Sequence, residues 1–139
     1  MDDQAAERPA TVLIYSDDRS TRDDIRYALG RRVAADLPEI AIVEAATYKA
    51  VLRALDAGGV DVAVFDGEAV PAGGMGLCRQ VKDEVADCPP IVVLVARPQD
   101  AWLATWSHAD AVSTHPVDPV ALPGVVAGQL RTRLADTVA

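Results

Sequence analysis

The chain has 139 residues, half of them hydrophobic, a formal net charge of −8, and two cysteines and two tryptophans. That length gives one domain with a proper core, and the apolar fraction argues against disorder. The acidic balance excludes direct nucleic-acid binding, which needs a basic stripe, and no apolar run approaches the roughly 20 residues that cross a bilayer. Cys78 and Cys88 match no metal or redox spacing. With no evident signal peptide, they suggest a reducing cytoplasm.

Residues 1–10 are polar, contain Pro9, and read as a flexible N-terminal tail. Thr11–Tyr15 is the first apolar run and predicts strand 1. Ser20-Thr21-Arg22-Asp23 looks like a helix-opening capping box with Ser20 as N-cap. Ile25, Leu29, Val33 and Leu37 follow at helical spacing up to Pro38. Ile40–Glu44 predicts strand 2, and Thr47–Ala57 helix 2, with Val51, Leu52 and Leu55 inward and Gly58-Gly59 ending it. Val60–Asp66 predicts strand 3, a buried run that stops at an acid. A loop rich in Pro and Gly, with Pro71, leads to helix 3 at 75–85. Ile91–Val95 predicts strand 4, 100–107 a short helix 4, Ala111–Thr114 strand 5, and Asp118-Pro119 the opening of helix 5 to about Leu134. Pro123 predicts a kink or a late start there. Five strand–helix units in alternation imply an α/β fold with a parallel sheet, helices on both faces and right-handed crossovers.

The acids fall where such a fold binds ligands. Asp66 ends strand 3, and Asp17 and Asp18 follow strand 1, so two strand ends would gather three carboxylates in the crevice outside the sheet. Hard oxygens suit magnesium, which takes one or two carboxylates plus waters and a phosphate. A carboxylate can also accept a phosphoryl group as a nucleophile. Glu68 would join the metal shell through water, repel a phosphoryl donor, or stand as a solvated loop acid.

These residues resemble the receiver domain of two-component response regulators, over about Thr11 to Leu134. Tyr15-Ser16-Asp17-Asp18 looks like the family's acidic pair after strand 1, and Phe65-Asp66 like its phospho-accepting aspartate. Gly74 and Leu77 match the loop and helix start that follow. His115-Pro116-Val117 stands where the family has Lys-Pro-Phe, with a cis peptide before the proline. The resemblance implies a flavodoxin-like (βα)5 doubly wound sheet in the order 2-1-3-4-5, with residues 11–137 as the receiver domain. It implies Asp66 as phospho-acceptor, Asp17, Asp18 and Asp66 as magnesium ligands, and a histidine kinase or other phospho-donor as partner. Output would pass to a protein through the helix 4–strand 5–helix 5 face, and a homodimer through that region is compatible with the family.

The departures are specific. Val95 replaces the Thr or Ser that hydrogen-bonds the phosphoryl oxygen, followed by the expected Ala96. Losing one such donor in an enzyme site costs roughly 3 kcal/mol. His115 replaces the lysine, and its charge is set by pH near neutrality. Val112 replaces the aromatic that couples to the missing hydroxyl, and the segment before His115 is about two residues short, which clips helix 4. Trp102 and Trp106, four apart, would share one face of that helix, and exposed tryptophans are enriched in binding hot spots. Alternatively Leu103 and one Trp pack inward. His108 reads as a solvated helix-end residue.

Two functions stay open. One is a stand-alone atypical receiver in a phosphorelay that accepts phosphate at Asp66 and signals by protein contact. The other is a pseudo-receiver that docks on and regulates a partner complex without phosphorylation. An aspartate-nucleophile phosphatase fits poorly, because the chain is short and has no lysine near its later strand ends, so the chain does not read as an enzyme.

Overall fold

In a computed structural model of the chain, the described residues are 8–70 and 72–138. Residues 1–7 of the tail and Pro71 lie outside them. Five parallel strands form one sheet in the order β2-β1-β3-β4-β5: β1 (Ala10–Tyr15), β2 (Ile40–Ala45), β3 (Val62–Asp66), β4 (Ile91–Val95) and β5 (Ala111–Thr114). Helices α1 (Arg19–Leu29), α2 (Tyr48–Ala57), α3 (Gly74–Glu84), α4 (Ala101–Trp106) and α5 (Ala121–Val138) connect or follow them. A 3₁₀ turn, Pro98–Asp100, precedes α4. This is the flavodoxin-like order expected from the sequence.

β3 and β4 are buried along their whole length, as the continuous apolar runs require. Their side chains alternate between two cores. Val62, Val64, Val92 and Leu94 pack with Ile25 and Leu29 of α1 and Leu122 and Val126 of α5. Ala63, Phe65 and Val93 pack with Val51 and Leu55 of α2 and Leu77 and Val81 of α3 on the other side. In the register, Tyr15 of β1 stands opposite Phe65 of β3, and their rings meet edge to face at 5.8 Å. The two strand ends are therefore level, and the residues just beyond them share one crevice.

Three local expectations need correction. The N-cap of α1 is Asp18, not Ser20: the Asp18 carboxylate accepts the Ser20 N–H at 2.9 Å, where the helix end presents unpaired donors. α1 stops at Leu29 because Gly30 takes a positive φ of 62°, and Leu37 is buried from an irregular segment instead of a continued helix. β3 begins at Val62, since Asp61 turns its carboxylate back onto the Thr11 N–H at 2.8 Å. A fourth expectation holds: of the kink or late start that Pro123 predicts, the last helix shows the late start, at Ala121. Asp118 Oδ1 accepts the Val120 and Ala121 N–H groups, and Pro123 falls in the first turn, where a missing N–H costs nothing.

Candidate functional site

The site is built on the carboxyl ends of β1, β3, β4 and β5. Asp66 is 2% exposed at the end of β3. Its backbone cannot shift, because α3 begins directly against it. A Cβ built on Gly74 would meet the Asp66 carbonyl oxygen at 2.5 Å, so only glycine permits this approach. Gly67 is equally confined, with a built Cβ 2.4 Å from the Leu94 carbonyl oxygen.

Both Asp66 carboxylate oxygens have partners. Oδ1 accepts the Glu68 N–H at 2.8 Å and lies 3.7 Å from His115 Nε2. Oδ2 accepts the Ser16 hydroxyl at 2.8 Å. Ser16 is fully buried, and its Oγ in turn accepts the Asp18 N–H at 3.0 Å. Arg22 holds this loop from α1: Nη1 donates to the Ser16 carbonyl at 2.7 Å, and Nε pairs with Glu44 at the end of β2. The Tyr15 hydroxyl donates to the Ala72 carbonyl, tying β1 to the loop before α3. Burial raises the Tyr15 phenol pKa, and the charges of Asp17 and Asp66 add to the shift.

The structure brings together fewer acids than expected. Asp17 is exposed, and its Oδ1 accepts the Val70 N–H at 3.0 Å. Asp18 leaves the crevice: Oδ1 caps α1, and Oδ2 accepts the Thr21 hydroxyl at 3.3 Å. Glu68 contributes its N–H to Asp66, while its exposed side chain adds to the negative field felt by Arg97. Among the described residues no three His, Cys, Asp or Glu side chains form a group suited to a metal ion. The acidic cluster anticipated from Asp17, Asp18, Asp66 and Glu68 is thus not formed as a cage.

His115 reaches the site through a cis His115–Pro116 peptide, with its N–H on the Val95 carbonyl at 3.1 Å. Val95 is buried and Ala96 exposed, so neither offers a hydroxyl to the crevice. Beyond them, Val95, Ala96, Pro98, Ala101, Val112 and Thr114 line an apolar hollow of about 230 Å³ between α4 and β5. Val112 is exposed beside it. Trp102 and Trp106 are 66% and 48% exposed, so neither packs inward as Leu103 partly does. The Arg79 guanidinium sits 4.7 Å from the Trp106 ring centroid and donates to its carbonyl. His108 is exposed with φ of 64° just past the helix end.

Sequence reasoning missed Ser16 and Arg22. Setting the aromatic strand-end residues Tyr15 and Phe65 opposite each other would have placed Ser16, not Asp17 or Asp18, beside Asp66.

No family model matches the chain. Over 120 residues it is 52% identical to response regulatory proteins from two strains of Mycobacterium tuberculosis, covering 86% of this chain and 90% of theirs. The chain belongs to the response regulator receiver family of two-component signalling. Solved receivers share its fold at lower identity. A Francisella response regulator receiver domain matches with a TM-score of 0.74 at 19% identity, over 88% of this chain and 98% of that one. A CheY-like receiver from Methanospirillum hungatei matches with a TM-score of 0.69 at 20% identity, over 93% and 99%. Members of this family are signalling proteins and not classical enzymes, and they generally take magnesium at the phosphorylation site. In this receiver the donor set does not fit a preformed magnesium site, since the Asp18 carboxylate is committed to its helix cap and the Glu68 side chain is exposed.

Proposed function

We propose that this receiver acts as a phosphorylation-independent docking module, regulating a partner protein through the face formed by α4, β5 and α5. One observation carries the reading: both Asp66 oxygens already have partners, Ser16 on one and Glu68 with His115 on the other. In this arrangement Asp66 serves as a structural acid, and phosphorylation at Oδ2 would have to displace the Ser16 hydrogen bond. Val95 supports the same reading, because a phosphoryl group there would find no hydroxyl. A ligand shifts an equilibrium only by its differential affinity for two states, and with Val95 and Val112 the relay that distinguishes those states is missing. Trp102, Trp106 and Val112 supply an exposed apolar surface beside the site.

The test is capture of the partner from native lysate by wild type, Trp102→Ala and Asp66→Ala. Loss of one specific partner with Trp102→Ala and retention with Asp66→Ala is expected. Loss with Asp66→Ala alone would overturn the reading.

A second reading is favoured by the place of Asp66 at the end of β3 beside His115, an imidazole that becomes a cation on protonation. In it, Asp66 takes a phosphoryl group from a histidine kinase or another phospho-donor, and the same face carries the output. Incubation with acetyl phosphate and magnesium, read by intact mass, would then show an adduct that Asp66→Asn abolishes.

A further inference from the structure

Divalent cation affinity rises with the number of charged oxygens and with how rigidly they are placed. Of the four acids near this crevice, Asp18 is turned to its helix cap and Glu68 is exposed, while Asp17 and Asp66 each already accept a backbone N–H. The remaining Asp66 oxygen, Oδ2, is covered by the Ser16 hydroxyl at 2.8 Å. Ser16 is fully buried and uses both hydroxyl functions, donating to Asp66 and accepting from the Asp18 N–H. His115 Nε2 stands 3.7 Å from Oδ1 of the same acid.

We propose that the Ser16 hydroxyl takes the place of a divalent cation at Asp66, so that this receiver does not bind magnesium at millimolar concentration, and that position 16 decides this. The hydroxyl proton occupies one lone pair of Asp66 Oδ2 on the side facing the end of β1, and a serine brings no charge to attract a cation there. An aspartate at 16 would set a third carboxylate against Asp66 and Asp17. Like charges so close are relieved by a cation between them or by uptake of a proton. The proposal deepens the reading of Asp66 as a structural acid. Its test reads metal and not partner, so the two can fail separately.

The experiment is a magnesium chloride titration of the isotopically labelled full chain, followed at the Gly67, Glu68 and Val70 amides. Wild type is expected to show no saturable shift up to about 10 mM, whereas Ser16→Asp saturates at least about tenfold lower. Manganese should broaden the same amides in the variant alone. Saturation of wild type in the low millimolar range at these amides overturns the proposal, and so does a folded Ser16→Asp that binds nothing. A Ser16→Asp that folds only with magnesium supports it. Ser16→Asn has the same size without the charge. If it folds while magnesium fails to rescue Ser16→Asp, position 16 is not the determinant. If neither folds, the wild-type titration decides alone.

Discussion

Ser16 and Gly74 fix Asp66 from opposite sides, one by a hydrogen bond and the other by having no side chain. Ser16→Ala leaves a buried carboxylate oxygen short of a donor. We expect a loss of about 1.5–3 kcal/mol in urea unfolding, the range for hydrogen bonds to charged groups. Gly74→Ala should cost about 1–3 kcal/mol, because the new methyl meets backbone and not a flexible side chain. It should also displace the Glu68 amide resonance, which Ser16→Ala alters through the carboxylate instead. The cysteines differ in the same local way. Burial pushes the Cys78 thiol up to about 11, while Cys88 is only half-buried. In native protein at pH 8, a disulfide reagent should label Cys88 first and reach Cys78 only on unfolding; rapid double labelling would contradict this burial.

At the level of elements, α4 is six residues long and rests on Arg79, whose guanidinium stacks on Trp106 and bonds its carbonyl. A cation–π contact at an exposed site is worth about 0.5–1 kcal/mol, enough to pin a helix too short to hold itself. Arg79→Ala should therefore speed amide exchange across Ala101–Trp106 while changing global stability by no more than about 1 kcal/mol. Trp102→Ala should leave stability within about 0.5 kcal/mol, as for most surface substitutions, which keeps it clean as a binding probe. The elements themselves were legible. Continuous apolar runs such as 62–65 and 91–95, short and bounded by turn residues, read as buried strands, and the shortened segment before His115 correctly announced a clipped helix. What the sequence left ambiguous was the turn after Tyr15. Ser16, Asp17 and Asp18 are all short polar residues, and one hydrogen-bonds an acid, one holds a loop and one caps a helix. Composition cannot rank those three tasks; the register of β1 against β3 does. The end of α1 was hidden likewise, because Val33 and Leu37 keep helical spacing after Gly30 has turned the chain.

Across the molecule, α5 is tied to distant segments by two arginines. Arg131 grips Asp36 with two hydrogen bonds, and Arg133 reaches Asp87. The Arg131 hydrogen bonds bring the Asp36 carboxyl from 3.8 down to about 2. A depressed carboxyl pKa stabilises the fold fully above the unfolded value and loses that contribution as pH falls through the folded one. The Asp36 contribution is therefore intact above about pH 4 and fades toward pH 2, and it is modest because both partners are exposed and screened. Arg131→Ala should flatten the pH dependence of the melting temperature in that window and leave its slope near neutrality unchanged. The sheet order has a consequence in time. Ser16 and Asp66 are 50 residues apart, and their contact needs only β1 and β3 to pair. His115 joins them only after β4 and β5 have been added to the sheet's edge. On a ribosome adding about 5–20 residues per second, the serine and the aspartate are both made some seconds before the histidine. The acid and its neutral partner thus come from the first half of the chain, and the imidazole beside them comes from the last third.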